Sequence, residues 1–84
     1  MALGYTYVLS ETASEFAFHL TANEQKRLAL ACRQLAQNPF KEGDYATTDS
    51  VGRSVQNVLL DDWVFTYWAD HGQKELRITE IVQV

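Results

Sequence analysis

Cysteine, proline and methionine each occur once in this chain of 84 residues. One thiol, Cys32, excludes an intramolecular disulfide and cannot by itself build a structural zinc site. The core must therefore be held by packing, and a reducing cytoplasmic setting is expected. Long apolar runs are also missing, since nothing approaches the ~18 consecutive apolar residues of a membrane span. Met1 to Leu9 carries no positive charge and no apolar stretch of the kind a secretory leader needs, so none is expected. Basic residues are scarce: seven Lys and Arg stand against eleven Asp and Glu, a formal charge of −4. Residues 1–39 balance, whereas residues 40–84 set eight acids against Lys41, Arg53, Lys74 and Arg77. Nucleic acid binding draws most of its affinity from cations that neutralise phosphates. Direct binding of RNA or DNA is thus doubtful from the charge alone.

What is plentiful is aromatic surface. Two Trp, four Tyr and four Phe make an efficient core feasible in so short a chain. No repeat, low-complexity tract or linker divides the sequence, and residues 1–84 read as a single domain.

Tyr5-Thr6-Tyr7-Val8-Leu9 has the β-branched and aromatic content of a first strand. Ser10 is a plausible N-cap for a helix over 11–20, whose apolar stripe is Ala13, Phe16, Ala17 and Leu20. Phe18 and His19 fall off that stripe, and His19 would close the helix at its negative dipole end. Thr21-Ala22-Asn23-Glu24 spells a capping box. The second helix runs to about Asn38, with Leu28, Ala31, Cys32 and Leu35 inward and Lys26, Arg27 and Arg33 solvated. Asn38-Pro39 ends it, because the residue before proline is pushed out of helical geometry. Residues 40–50 are polar and read as a loop.

Three strands follow, at about 53–60, 62–69 and 74–82. In the middle one Trp63, Phe65 and Tyr67 point one way and Val64, Thr66 and Trp68 the other. Asp70-His71-Gly72-Gln73 reads as a hairpin turn in which Gly72 takes a positive φ. The fold class is α+β: an N-terminal strand, a helical hairpin packed on one sheet face, and a three-strand antiparallel meander.

In this order the pieces resemble the RelE/ParE superfamily of toxin–antitoxin toxins. The likeness rests on Tyr7-Val8-Leu9-Ser10 leading into Glu11-Thr12-Ala13, and on Leu35-Ala36-Gln37-Asn38-Pro39-Phe40. It continues in Asp62-Trp63-Val64-Phe65-Thr66-Tyr67 and in Lys74-Glu75-Leu76-Arg77-Ile78. The resemblance implies a cognate antitoxin protein as partner. It implies as target either the ribosome, where RelE-type members cut messenger RNA without metal, or DNA gyrase, which ParE-type members inhibit. The family's catalytic Arg commonly follows the aromatic residue opening the middle strand, and Val64 stands there in this sequence. The closing Ile81-Val82-Gln83-Val84 offers no counterpart of the family's C-terminal catalytic groups. Ribonuclease activity is therefore not expected.

Metal-free RNA cleavage needs a base, an acid and a cation at the phosphorus centre. The candidates for a rearranged site are Arg53, Arg77, His71 and Tyr67. Each has a plainer reading. His71 is a turn residue, Arg53 an ion-pair partner of Asp49 or another loop acid, Arg77 an open-face residue facing an antitoxin acid or water, and Tyr67 a core side chain. Glu80 alternates with Leu76 and Ile78, so it needs a partner, a bulge or exposure at the sheet end.

The expected partner surface is the open sheet face, with Val64, Thr66, Trp68 and Arg77. Neither metal nor cofactor is expected. Three functions remain open: a non-nucleolytic toxin-like protein working by protein–protein binding, a metal-free endoribonuclease, and an orphan domain that forms homodimers or larger homo-oligomers through that face.

Overall fold

The computed structural model describes residues 4–84. Met1 to Leu3, on which part of the leader reading rests, lie outside the described residues. The chain runs β1 (Thr6–Leu9), α1 (Glu11–Phe18), α2 (Ala22–Gln37), β2 (Tyr45–Thr48), β3 (Ser54–Leu60), β4 (Trp63–Asp70) and β5 (Glu75–Gln83). The strands form one sheet in the order β1-β5-β4-β3-β2, with β1 parallel to β5 and the other neighbours antiparallel. The expected α+β arrangement is the one found. Among the described residues, no helix is long and apolar enough to cross a membrane.

The caps work as their sequences require. Ser10 Oγ accepts the Ala13 N–H at 3.1 Å, and its hydroxyl donates to the Thr79 carbonyl at 2.8 Å. One side chain thus starts α1 and ties it to β5. Thr21 and Glu24 complete a reciprocal box, with bonds of 3.2 and 2.8 Å. The hydrogen bonds from Thr21 hold the Glu24 carboxyl below its usual range. His19 is the C-cap of α1.

The helices cover one sheet face. Leu28, Ala31, Cys32 and Ala36 of α2 and Ala13 of α1 share a core with Trp63, Phe65, Tyr67, Leu76, Ile78 and Ile81. Phe16, Leu20 and Leu35 pack against its margin. Burying each large apolar side chain is worth about 1.5–3 kcal/mol, and this shared core fixes the helical layer on the sheet. Desolvation raises the Cys32 thiol to about 12, as expected of an inert core group. Arg27 is more than a solvated residue. Its guanidinium pairs with Asp61 at 3.0 Å and lies 5.2 Å from the centre of the Trp63 ring.

Two expectations are corrected, and the open question of Glu80 is decided. Residues 40–50 are not all loop, because Tyr45–Thr48 forms the edge strand β2, pairing Tyr45 with Asn57 and Thr48 with Ser54. Gly72 does not take a positive φ in the β4–β5 turn; Lys74 does, at 54°, while the positive-φ glycine is Gly52 at 82° in the β2–β3 turn. For Glu80, which needed a partner, a bulge or exposure, the structure supplies a bulge and exposure. Tyr67 pairs with Ile78 but Thr66 with Glu80, so β5 carries one extra residue there. That bulge moves Glu80 to the open face and puts Ile81, opposite Phe65, into the core.

Candidate functional site

The face of the sheet away from the helices is built by alternation and register. Val64, Thr66 and Trp68 of β4 lie opposite Val82, Glu80 and Arg77 of β5. Across the other side of β4, Leu59 pairs with Val64 and Asn57 with Thr66. At one end the row Leu59–Val64–Val82 is aliphatic, with Leu59 54% and Val82 47% exposed.

The next row is polar and interlocked. The Asn57 amide donates to Thr47 Oγ1 at 2.9 Å, and its Oδ1 accepts from Thr66 Oγ1 at 2.7 Å. Thr79 Oγ1 donates to the Thr66 carbonyl at 3.3 Å. Asn57 is buried although it faces away from the helices, with β2 paired alongside it. A cleft of about 320 Å³ opens over this row, walled by Thr12, Thr48, Asp49, Val55 and Glu80 among others.

At the far end both arginines are engaged. Arg53 approaches Asp49 at 4.0 Å, and its guanidinium lies 3.9 Å from the centre of the Trp68 ring. Asp49 also accepts the Arg53 backbone N–H at 2.8 Å. Arg77 meets Glu75 at 2.7 Å and Asp70 at 3.4 Å, and lies 5.7 Å from Trp68 on another side. Trp68 therefore faces outward but is half-buried beneath cations. Guanidinium over indole is favourable by about 0.5–1 kcal/mol at such partly exposed sites.

A second concavity, of about 480 Å³, lies where the segment after α2 crosses the ends of β3 and β4. Arg53, His71 and Tyr67 all line it, with Phe40, Lys41, Glu42 and Trp68. Arg77 does not. His71 Nδ1 is 2.8 Å from the Tyr5 hydroxyl, and its ring stacks on Phe40 with centroids 4.8 Å apart and planes 5° apart. The Tyr67 hydroxyl is pushed above its ordinary range by burial and, secondarily, by Asp44. It stays protonated, so it can donate a hydrogen bond but is a poor base.

Arg53, His71, Tyr67, Trp68 and Arg77 were legible as candidates and Asn57 as a sheet-face residue without charge, whereas the bonding role of Asn57 and the part of Phe40 and Lys41 in the cleft were not. An isolated Asn in a strand reads as an outward polar residue. The signal for the other two was their place just past Pro39, where a chain leaving a helix must cross the sheet end.

No family model matches the chain, and no curated protein matches it. Solved structures do. A chain of the toxin–antitoxin complex RelBE2 from Mycobacterium tuberculosis superposes with a TM-score of 0.78 at 13% identity, covering 98% of this chain and 100% of that one. A chain of the intact Escherichia coli RelBE toxin–antitoxin complex gives 0.70 at 11%, covering 95% and 96%. The RelE–RelB complex of Pyrococcus horikoshii gives 0.67 at 13%, covering 96% of each. The isolated Escherichia coli RelE toxin superposes at 0.70 as well. At 11–13% identity the likeness carries the backbone and not the chemistry: this chain has the fold of the RelE toxins.

Proposed function

We propose that this protein is a toxin-like component of a toxin–antitoxin pair in the cytoplasm, acting by binding other proteins and not by cutting RNA. The observation that carries this reading is the state of the open-face arginines. Arg53 is paired with Asp49, and Arg77 with both Asp70 and Glu75. Two arginines share that face with four carboxylates, Glu80 being the fourth. A metal-free phosphoryl site needs cations aimed at the charge that develops at phosphorus, and removing one such donor costs about 10²–10³ in rate. Here each arginine already has a carboxylate beside it, Arg53 at the longer distance of 4.0 Å, and Val64 stands where the family resemblance calls for another.

Three of the similar solved structures are toxin–antitoxin complexes. That supports an antitoxin as the partner of this chain, with Val64, Thr66, Trp68 and Arg77 on the surface it covers. Co-expression with the adjacent reading frame should give a stable co-purifying complex. Induction of the chain alone, with primer-extension mapping of messenger ends, should give no codon-periodic cuts.

One observation favours a second reading, a metal-free endoribonuclease: Arg53, His71 and Tyr67 line one cleft with Lys41. The protonated Tyr67 would be its acid and Arg53 its phosphate ligand. Codon-periodic cuts that vanish in Arg53→Ala would establish this reading and overturn the first.

A further inference from the structure

The bulge in β5 has placed a carboxylate beside an aliphatic row, on a face whose two arginines already have carboxylate neighbours. Leu59, Val64 and Val82 are cross-strand neighbours, with two of the three about half exposed. Glu80 is two residues before Val82 on the same face and pairs with Thr66. It has no ion pair among the described residues. It borders the hydroxyl-lined cleft of about 320 Å³, which has room for the head of a long side chain. We propose that this end of the open face docks a segment of a partner protein that lays aliphatic side chains on Leu59, Val64 and Val82 and sets a lysine or arginine against Glu80. This inference rests on the protein-binding reading above and specifies the partner's chemistry.

Charge decides the occupant. An acidic segment would need a free cation, and Arg77 already meets two carboxylates. A second copy of the chain would set two faces with the same acidic surplus against each other, and like charges in apposition disfavour a pairing. A basic and aliphatic segment meets both halves of the surface. Its geometry is undemanding: side chains at i and i+2 on a strand lie roughly 7 Å apart, and those at i and i+4 on a helix about 5–6 Å. Either matches the step from Val82 to Glu80. The bulge is what makes the site, since without it Glu80 would point at the core and the row would have no charge beside it.

The test is amide chemical-shift mapping on the full chain. The probes are a designed amphipathic peptide of leucine and lysine and its leucine–glutamate counterpart. The leucine–lysine peptide should shift Asn57, Val64, Thr66, Glu80 and Val82, and the leucine–glutamate peptide should not. Glu80→Lys and Val82→Ser should each weaken binding by roughly tenfold or more, the range in which loss of one charge or one apolar anchor falls. Both positions are exposed, so both variants should fold, with circular dichroism as the check. Shifts centred on α2 or on the Phe40–His71 cleft would overturn the proposal, as would equal binding of the two peptides. So would self-association of the protein alone that Val82→Ser abolishes, which would identify a second copy as the occupant. The two readings fail separately. Messenger cleavage sinks the non-nucleolytic function whatever the shifts show, and shifts off this face sink the docking site whether or not RNA is cut.

Discussion

Asn57 is where one residue has the widest reach. Its amide joins β2 to β4 across β3, with bonds to Thr47, to the Tyr45 carbonyl at 3.4 Å and to Thr66. An unpaired buried polar group costs about 1–3 kcal/mol, and replacing Asn57 strands partners on both sides. Asn57→Ala should lower stability by about that amount, and Asn57→Leu should not restore it, since its greater volume makes none of the bonds. Urea unfolding reads this as a lower midpoint at an unchanged slope; a midpoint within error of the parent would show that water replaces the amide. The residue scale is also where sequence reading is weakest. The outward direction of Trp68 follows from its alternation with Tyr67, but the guanidinium that covers it comes from Arg53, just before β3. Arg53 pairs with Asp49 as local charge suggested, and only the fold brings Arg53 over Trp68.

Elements were legible where local chemistry repeats itself. The Ser10 cap, the Thr21–Glu24 box, Asn38-Pro39 and the period-two pattern of β4 each carry their own signal, and the corresponding elements lie where those signals put them. β2 was not legible, because Tyr-Ala-Thr-Thr is short and flanked by Gly43, Asp44 and Asp49, a composition that reads as loop. Its order comes from elsewhere. Asp44 N donates to the Asn57 carbonyl at 2.7 Å, Asp44 Oδ2 accepts the Leu59 N–H at 2.8 Å, and Asp49 caps the turn before β3. The β5 bulge lies between these cases. Glu80 announced a conflict with simple alternation, but its resolution depends on pairing with β4. Ser10 links the two kinds of information, capping α1 locally and bonding the bulged residue Thr79 at long range. Loss of an N-cap alone costs about 1 kcal/mol, and the lost tie to Thr79 adds about another 0.5–1.5 kcal/mol. Ser10→Ala should therefore destabilise more than Thr21→Ala, whose effect is confined to its own helix. Parallel denaturation curves check the order, and equal midpoints would mean that the Thr79 bond contributes nothing.

At the scale of the whole molecule, buried protons couple the core to solution pH. The Cys32 thiol is raised from 9.0 to about 12, and the Tyr67 hydroxyl lies above its ordinary 10.0, in both cases chiefly through desolvation. The folded state therefore keeps protons that the unfolded chain gives up. Below pH 9 both groups are neutral in both states and contribute no slope. Above pH 9 the unfolded chain loses the Cys32 proton first, so unfolding releases a proton and stability falls as pH rises. The limiting slope is about 1.4 kcal/mol per pH unit for each such group. Tyr67 joins above pH 10 and steepens the decline until the folded state itself ionises. Raised from 9.0 to about 12, the Cys32 thiol accounts for at most about 4 kcal/mol of that decline, so the urea midpoint should fall steadily across the alkaline range. Cys32→Ala should be less stable than the parent at neutral pH, because it leaves a small void in the packed layer between α2 and the sheet. It should nevertheless lose stability more slowly between pH 9 and 10, where the thiol is the main source of the slope. Urea titrations across pH 7–11 measure both effects. A parent profile as flat as that of the variant between pH 9 and 10 would mean that Cys32 ionises as readily folded as unfolded, and that the core around it is open to water.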